Sequence, residues 1–184
     1  MSTTEVPSDP VQPEHWNIPF RQNPFFTGRT QILSSLHTML LTNQSAALVQ
    51  PPAISGLGGI GKTQTAIEYA YRHREEYRAV FWVQANSRET LIADSTKIAT
   101  LLNLPEQNAR EPEVTMQAVK SWLESNTSWL LICDNADDLS IVGEILPSKN
   151  SGHILFTTRA TAMGELAKRV EIDEMDIEEG ALLL

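Results

Sequence analysis

The chain has 184 residues, of which 41% are hydrophobic, and this length suits one domain with a sizeable core. Its formal net charge of −9 argues against non-specific nucleic-acid binding, because an acidic surface repels phosphate backbones. No apolar run approaches the ~20 residues of a membrane span, and the N-terminus lacks a basic-then-apolar secretory signal. We therefore expect a cytoplasmic protein, and the lone Cys133, which cannot form an internal disulfide, agrees with a reducing compartment.

The N-terminal part of the chain has three segments that differ in residue composition. Residues 1–15 are polar and contain three prolines, so we predict a disordered leader or linker. An unusually aromatic segment, 16–29, follows, and we expect its rings to pack on a domain that extends over residues 16–184. Residues 30–42 carry apolar side chains at helical spacing, which predicts a helix.

Residues 56–63 match the phosphate-binding loop pattern G-x-x-x-x-G-K-[ST] without a mismatch. Glycines are needed there because only residues without Cβ let backbone N–H groups wrap closely around a polyphosphate. We expect Lys62 to reach the β- and γ-phosphates and the Thr63 hydroxyl to bind Mg²⁺. The flanking apolar run and helical pattern predict the strand–loop–helix context that the motif requires. The predicted nucleotide contacts in this segment are Gly58, Gly59, Ile60, Gly61, Lys62, Thr63 and Gln64.

The remaining sequence alternates apolar strands with helices. Strands are predicted at 79–85, 129–134, 153–158 and 170–172, and helices at 88–102 and 112–125. This alternation indicates a parallel sheet that is covered by helices on both faces. Because proline cannot donate to a sheet ladder, Pro51 and Pro52 predict that the strand before the phosphate loop is short and begins near Ala53.

Asp134 is the best candidate for the metal-binding half of the site. It ends an apolar strand, and sites in parallel sheets lie at the carboxyl ends of strands, so we predict that it holds Mg²⁺ and takes part in catalysis. The alternative is a loop aspartate that caps the next segment. Asn135 cannot accept a proton, so a base would have to be Asp137 or Asp138, or hydrolysis would proceed slowly by positioning alone. We therefore predict firm nucleotide binding with feeble turnover.

Arg159 follows the apolar run 153–158, and its strand end should lie near the terminal phosphate. An arginine at this position can distinguish a triphosphate from a diphosphate by charge. On spacing alone, a surface arginine without that role is an equal alternative.

Taken together, these segments resemble the NB-ARC nucleotide-binding domain of the STAND class of signalling ATPases, in particular its fungal NOD-like receptor members. Five motifs carry the resemblance in the correct order, which is more specific than any one of them. They are residues 23–29, 54–63, 81–83, 130–138 and 152–159. The likeness extends from about Trp16 to the C-terminus.

The resemblance implies a three-layer α/β P-loop NTPase fold with a five-stranded parallel sheet in the order 5-1-4-3-2. It implies ATP or ADP as the ligand, with Mg²⁺, and it adds Arg29 as a nucleotide contact and Arg159 as the sensor. In that family, ADP holds a closed monomer and ATP opens it to self-oligomerise, with effector and tetratricopeptide-type repeat domains in the same chain. A switch role in innate immunity or programmed cell death follows, with neither nucleic acid nor membrane as a partner.

Two features depart from the family pattern. Asn135 stands where many relatives have a second carboxylate, which argues against an efficient hydrolytic cycle. The chain also stops where the family would begin its helical lid and winged-helix parts, so we expect an excised domain or a truncated product. The alternative functions are a phosphotransferase built on the same loop and an interaction scaffold whose loop is vestigial.

Overall fold

The structure, a computed structural model, describes residues 12–42, 50–149, 151–160 and 167–172, apart from the side chain of Leu139. The strands are β1 (His15–Trp16), β2 (Pro52–Ser55), β3 (Ala79–Gln84), β4 (Trp129–Asp134), β5 (His153–Thr158) and β6 (Lys168–Glu171). The helices are α1 (Thr30–Thr42), α2 (Lys62–Arg72), α3 (Arg88–Leu101), α4 (Pro112–Ser125) and α5 (Leu139–Val142), with short 3₁₀ turns at Arg74–Glu76 and Pro105–Asn108. The predicted helices and strands therefore form close to their expected positions.

The six strands form one sheet in the order β1-β3-β4-β5-β2-β6, and every described strand pair is parallel. The α/β class and the three-layer arrangement are confirmed. The predicted count of five strands is wrong because β1 adds a strand beside β3, while the other five follow the predicted order. A two-residue strand has too little periodicity to be read from sequence, and β1 exists through backbone pairing of His15 with Ala79.

The added strand also changes the expected start of the folded part. The boundary predicted after residue 15 falls inside β1, and the Glu14 amide already donates to the Arg78 carbonyl at 2.7 Å. An exposed ion pair of 2.8 Å between Glu14 and Arg78 lies beside this bond. Residues 1–11 lie outside the described residues, so the disordered leader stays a prediction there.

The start of β2 is one residue earlier than predicted. Pro52 pairs with Lys168 in the parallel register, and the Lys168 amide donates to the Pro51 carbonyl at 2.8 Å. A proline lacks the N–H donor but retains its carbonyl acceptor. The two prolines therefore shorten this strand without preventing its pairing with β6.

Alternate side chains of the central strands enter two separate cores, one on each face of the sheet. On one face, Phe81 and Leu131 pack with side chains of α3 and α4. On the other face, Val80 and Leu130 pack with α1 and α2. Because both faces are buried, these strands are continuously apolar in sequence. In the described part of the chain, no helix is long and apolar enough to cross a membrane.

One tight contact between a glycine and the core generates a stability prediction. A Cβ added at Gly152 would lie 2.6 Å from Cε3 of Trp129, whose fully buried indole donates to the Leu123 carbonyl at 2.9 Å. Because the ring is held in place, Gly152→Ala should lower the free energy of unfolding by about 1–3 kcal/mol, as overpacked cores do. Urea unfolding measures this change.

Gly58→Ala is the matched control, because an added Cβ there meets no atom within 4 Å. Its effect on the free energy of unfolding should stay within about 0.5 kcal/mol. Equal stability of the two alanine variants would contradict the packing described for Trp129.

Candidate functional site

The phosphate loop connects β2 to α2, and its shape depends on two glycines. Gly59 and Gly61 have φ angles of 81° and 91°, in the left-handed region that favours glycine. Gly61 is the N-cap residue of α2, so the loop leads directly into the positive end of the helix dipole. The backbone therefore has the form of an anion-binding turn at a helix start.

Lys62 is bound by the loop that it follows. Its ammonium donates to the carbonyls of Gly56 and Leu57, both at 2.7 Å, and the residue is 8% exposed. Burial lowers the pKa of Lys62, and this outweighs the opposing effect of the nearby carboxylates of Asp137 and Asp134. Phosphate oxygens could replace these two carbonyls as hydrogen-bond acceptors. The predicted contact of Lys62 with phosphate would therefore not require the ammonium to leave the loop.

The buried carboxylate of Asp134 joins the phosphate loop to the neighbouring strands. Its Oδ1 accepts hydrogen bonds from the hydroxyls of Thr63, at 2.9 Å, and Thr157. Its Oδ2 accepts from the Gln84 amide at 3.2 Å. Only 2% of Asp134 is exposed, so these donors provide the polar contacts that a buried carboxylate requires. The structure thus brings together the two predicted metal ligands, Thr63 and Asp134.

Gln84 and Thr157 are site residues that the sequence reasoning missed. Besides binding Asp134, the Thr157 hydroxyl accepts the backbone N–H of Asn135 at 3.0 Å, and Gln84 Oε1 accepts the Asn135 side-chain amide at 3.1 Å. A signal was available: Gln84 ends β3 and Thr157 lies near the end of β5, so both are polar residues at the same edge of the sheet. Only the strand order shows that these two strands flank β4.

Arg159 and Asp137 form an ion pair next to this network. Asp137 accepts from the Arg159 backbone N–H at 2.6 Å, from its guanidinium at 2.9 Å and from the Thr158 hydroxyl at 2.9 Å. Partial burial would raise the pKa of Asp137, but these donors and the Arg159 charge together lower it. The Arg159 side chain is 69% exposed, so its guanidinium faces solvent while it is tied to Asp137.

Asp138, the other predicted catalytic residue, lies at the start of α5. Its Oδ1 accepts the Ser140 backbone N–H at 2.9 Å and the Ser140 hydroxyl at 2.6 Å. These bonds lower the pKa of the exposed Asp138 carboxyl. The side chain therefore serves as a helix cap in this structure, and its described contacts do not include Asp134 or Lys62.

Arg29 contacts the phosphate loop itself. Its guanidinium donates to the carbonyls of Ile60 and Gly61, the latter at 3.1 Å, and to the Thr65 hydroxyl at 2.9 Å. The residue is 7% exposed and lies directly before α1. This side chain therefore links the start of α1 to the loop and to the first turn of α2.

A cavity of about 530 Å³ opens beside the loop, within the size range of small-molecule sites. Its lining combines predicted nucleotide contacts with part of the segment 23–29, one of the five motifs that carry the family resemblance. The lining residues are Asn23, Phe26, Thr27, Arg29, Leu57, Gly58, Gly59, Ile60, Gly61 and Gln64. Lys62, Thr63, Asp134 and Arg159 are not among the lining residues. Thr63 bonds to Asp134, and the charges of Asp134 and Arg159 act on Lys62.

Comparisons with known proteins identify the family to which this chain belongs. A family model described as "NB-ARC domain" matches residues 29–183. A curated "Nucleotide-binding leucine-rich repeat (NLR)-like protein" from the fungus Hyaloscypha variabilis is 35% identical over 165 residues, covering 79% of this chain. The chain spans 17% of the length of that relative.

A solved structure shows the same fold at low sequence identity. Cdc6p from Pyrobaculum aerophilum is 16% identical with a TM-score of 0.50, and the match covers 83% of this chain and 47% of that protein. At this identity, the likeness concerns the fold alone.

The contacts of Arg29 predict that it stabilises the loop even without a ligand. Arg29→Ala removes charged hydrogen bonds to two loop carbonyls and a hydroxyl, so the nucleotide-free protein should lose about 1.5–3 kcal/mol of unfolding free energy. Urea unfolding in the absence of nucleotide measures the loss.

Arg159→Ala is the matched control, because its exposed ion pair should contribute at most about 1 kcal/mol. If Arg29→Ala leaves the nucleotide-free protein as stable as wild type and weakens only ligand binding, Arg29 is a nucleotide contact without a structural role.

Proposed function

Because this chain belongs to the NB-ARC family, a nucleotide-binding domain of the P-loop NTPase type, we propose that it is the ATP/ADP switch domain of an NLR-like signalling protein. In this proposal the nucleotide biases a two-state element, and chemistry resets it slowly. The observation that carries the proposal is an intact phosphate site whose neighbouring carboxylates are all committed to other contacts.

Three polar residues after β4 are candidates for the base in hydrolysis, and none of them is well suited to accept a proton. Asn135 is an amide and cannot accept a proton. Asp137 is occupied by Arg159 and Thr158, and Asp138 by Ser140, and the pKa of each carboxyl is lowered. A carboxylate with a lowered pKa is a weaker base, so hydrolysis should be slow. Asp138 would have to release Ser140 to act as the base.

The residues present fit the Mg²⁺ that P-loop NTPases usually bind with the nucleotide. The Thr63 hydroxyl and the Asp134 carboxylate lie 2.9 Å apart, and Mg²⁺ prefers such oxygen ligands. When bound, the ion would neutralise phosphate charge. Thr63 and Asp134 would hold it, while Gln84 and Thr157 keep the carboxylate in position.

Arg159 is proposed as the sensor of the terminal phosphate. It is exposed and directly follows Thr158, which pairs with Ser55 at the start of the phosphate loop, so we infer that it is near the place where a γ-phosphate would lie. An extra negative charge there competes with Asp137 for the guanidinium. ATP would thus release Arg159 from Asp137, whereas ADP would leave the pair intact.

The wider role follows from the family and is part of the same proposal. We place the domain in a cytoplasmic protein whose other domains supply effector and sensor functions, and in which ATP favours self-oligomerisation. A role in fungal innate immunity or programmed cell death agrees with the fungal NLR-like relative.

Nucleotide binding is tested by calorimetric titration with ADP and ATP in Mg²⁺. Wild type should bind both saturably, and Lys62→Ala should abolish binding, because this ammonium is held within the loop by the Gly56 and Leu57 carbonyls and is the predicted partner of the β- and γ-phosphates. Lys168→Ala is the matched control, because it removes an exposed lysine at the start of β6. This residue pairs with Pro52, at the end of β2 that lies away from the phosphate loop. Identical isotherms for the two variants would refute the site.

Turnover is measured with the same protein by phosphate release. We expect a rate well below the ~10 s⁻¹ that is ordinary for enzymes. A rate at that level would contradict the switch proposal while leaving the nucleotide site established. Transfer of phosphate to an acceptor other than water would favour a phosphotransferase.

The sensor is tested by the ratio of ATP affinity to ADP affinity. Arg159→Ala should lower this ratio roughly tenfold, because a charged hydrogen bond to the terminal phosphate is lost. Asp137→Asn should raise the ratio, because it frees the guanidinium from its present partner. If neither variant changes the ratio, Arg159 is a surface arginine without a sensing role.

A further inference from the structure

Three potential metal ligands lie together outside the nucleotide site. They are His37 on α1, His73 immediately after α2, and Glu76 in the 3₁₀ turn that follows. One ligand atom from each residue lies within 4.8 Å of those of the other two. Helix α1 and the segment that follows α2 therefore contribute to one cluster.

The contacts within the cluster already bring the ligand atoms near the spacing of a metal site. Glu76 is 2.7 Å from Nδ1 of His73 and 3.9 Å from Nδ1 of His37. The two imidazole rings are stacked with their centroids 4.1 Å apart. In a tetrahedral zinc site with bonds of 2.0–2.1 Å, ligand atoms are about 3.4 Å apart, so binding would need approach on the order of 1 Å and rotation of at least one of the two stacked rings.

The donor set indicates which kind of metal would bind. Two imidazoles and one carboxylate form a ligand set known for Zn²⁺, with water in the fourth position. Ca²⁺ and Mg²⁺ take mainly oxygen ligands, so this set disfavours them. The cluster is thus chemically distinct from Thr63 and Asp134, whose ligands are all oxygens.

The surroundings also favour a cation. His73 is the C-cap residue of α2, where the helix dipole is negative. The Tyr69 hydroxyl bonds to Nδ1 of His37 at 3.1 Å, so a metal on Nδ1 would displace this hydroxyl, whereas a metal on Nε2 would leave it as an outer contact that orients the ring. The side chains of His37, His73 and Glu76 are 27%, 20% and 42% exposed, so an ion can enter from solvent.

We propose that His37, His73 and Glu76 bind one transition-metal ion of the zinc class. The ion would connect α1 to the end of α2. Since α1 begins next to Arg29 and α2 begins at the phosphate loop, both helices run from the nucleotide cavity to the metal cluster. A ligand that binds only the folded state stabilises it by RT ln(1 + L/Kd), where L is the free ligand concentration, so the melting temperature continues to rise with that concentration.

The test titrates the untagged protein with zinc chloride in a calorimeter and follows the melting temperature with added metal. We expect one saturable site and a melting temperature that rises with zinc concentration. His37→Ala and His73→Ala should each lose the site and the thermal shift. Glu76→Gln keeps the shape of the side chain and should weaken binding, which covers the case in which an alanine variant fails to fold.

His15→Ala is the matched control, because it removes a histidine that contacts Trp122 on a different part of the surface, and it should retain the site. Lys62→Ala should also retain it, which separates this proposal from the nucleotide site. Absence of saturable zinc binding by wild type would overturn the proposal. So would a zinc isotherm that is unchanged by His73→Ala and Glu76→Gln.

Discussion

The buried carboxylate of Asp134 is the point at which the phosphate loop and the sheet meet. It accepts hydrogen bonds from Thr63 in the first turn of α2, from Gln84 on β3 and from Thr157 on β5. A buried charge must be paired or hydrogen-bonded, so these three elements are held at fixed positions around it. Replacing Asp134 would leave three donors without their common acceptor and would remove a proposed metal ligand at the same time.

At this edge of the sheet, the groups that can bind a polyphosphate differ from the carboxylates that could act as a base. The loop supplies backbone N–H groups, a cation and the start of a helix, all of which stabilise a bound polyphosphate. The carboxylates beyond Asp134 are bound to Arg159 and to Ser140, which suits them to positioning and capping rather than to proton transfer. In the proposed switch, slow hydrolysis would keep the nucleotide bound for a long time.

Helices α1 and α2 connect two places that differ in chemistry. At their first residues lie the Arg29 contacts with the loop, and further along lies the proposed zinc cluster of His37, His73 and Glu76. Both helices pack into the same core on one face of the sheet, through Leu33, Leu36 and Ile67 among others. The proposed metal would therefore connect two helices that pack against the same core.

The sequence by itself determined five of the six described strands, the four long helices and the phosphate loop, because apolar periodicity and the glycine-rich octet are local patterns. It also placed Asp134 beside Thr63, since strands of a parallel sheet end at one edge. Tertiary structure alone decided the partners of Arg29 and Arg159, the support from Gln84 and Thr157, and the strand β1. These contacts join residues tens of positions apart or depend on backbone pairing, and no local pattern encodes which distant side chain a polar group will meet.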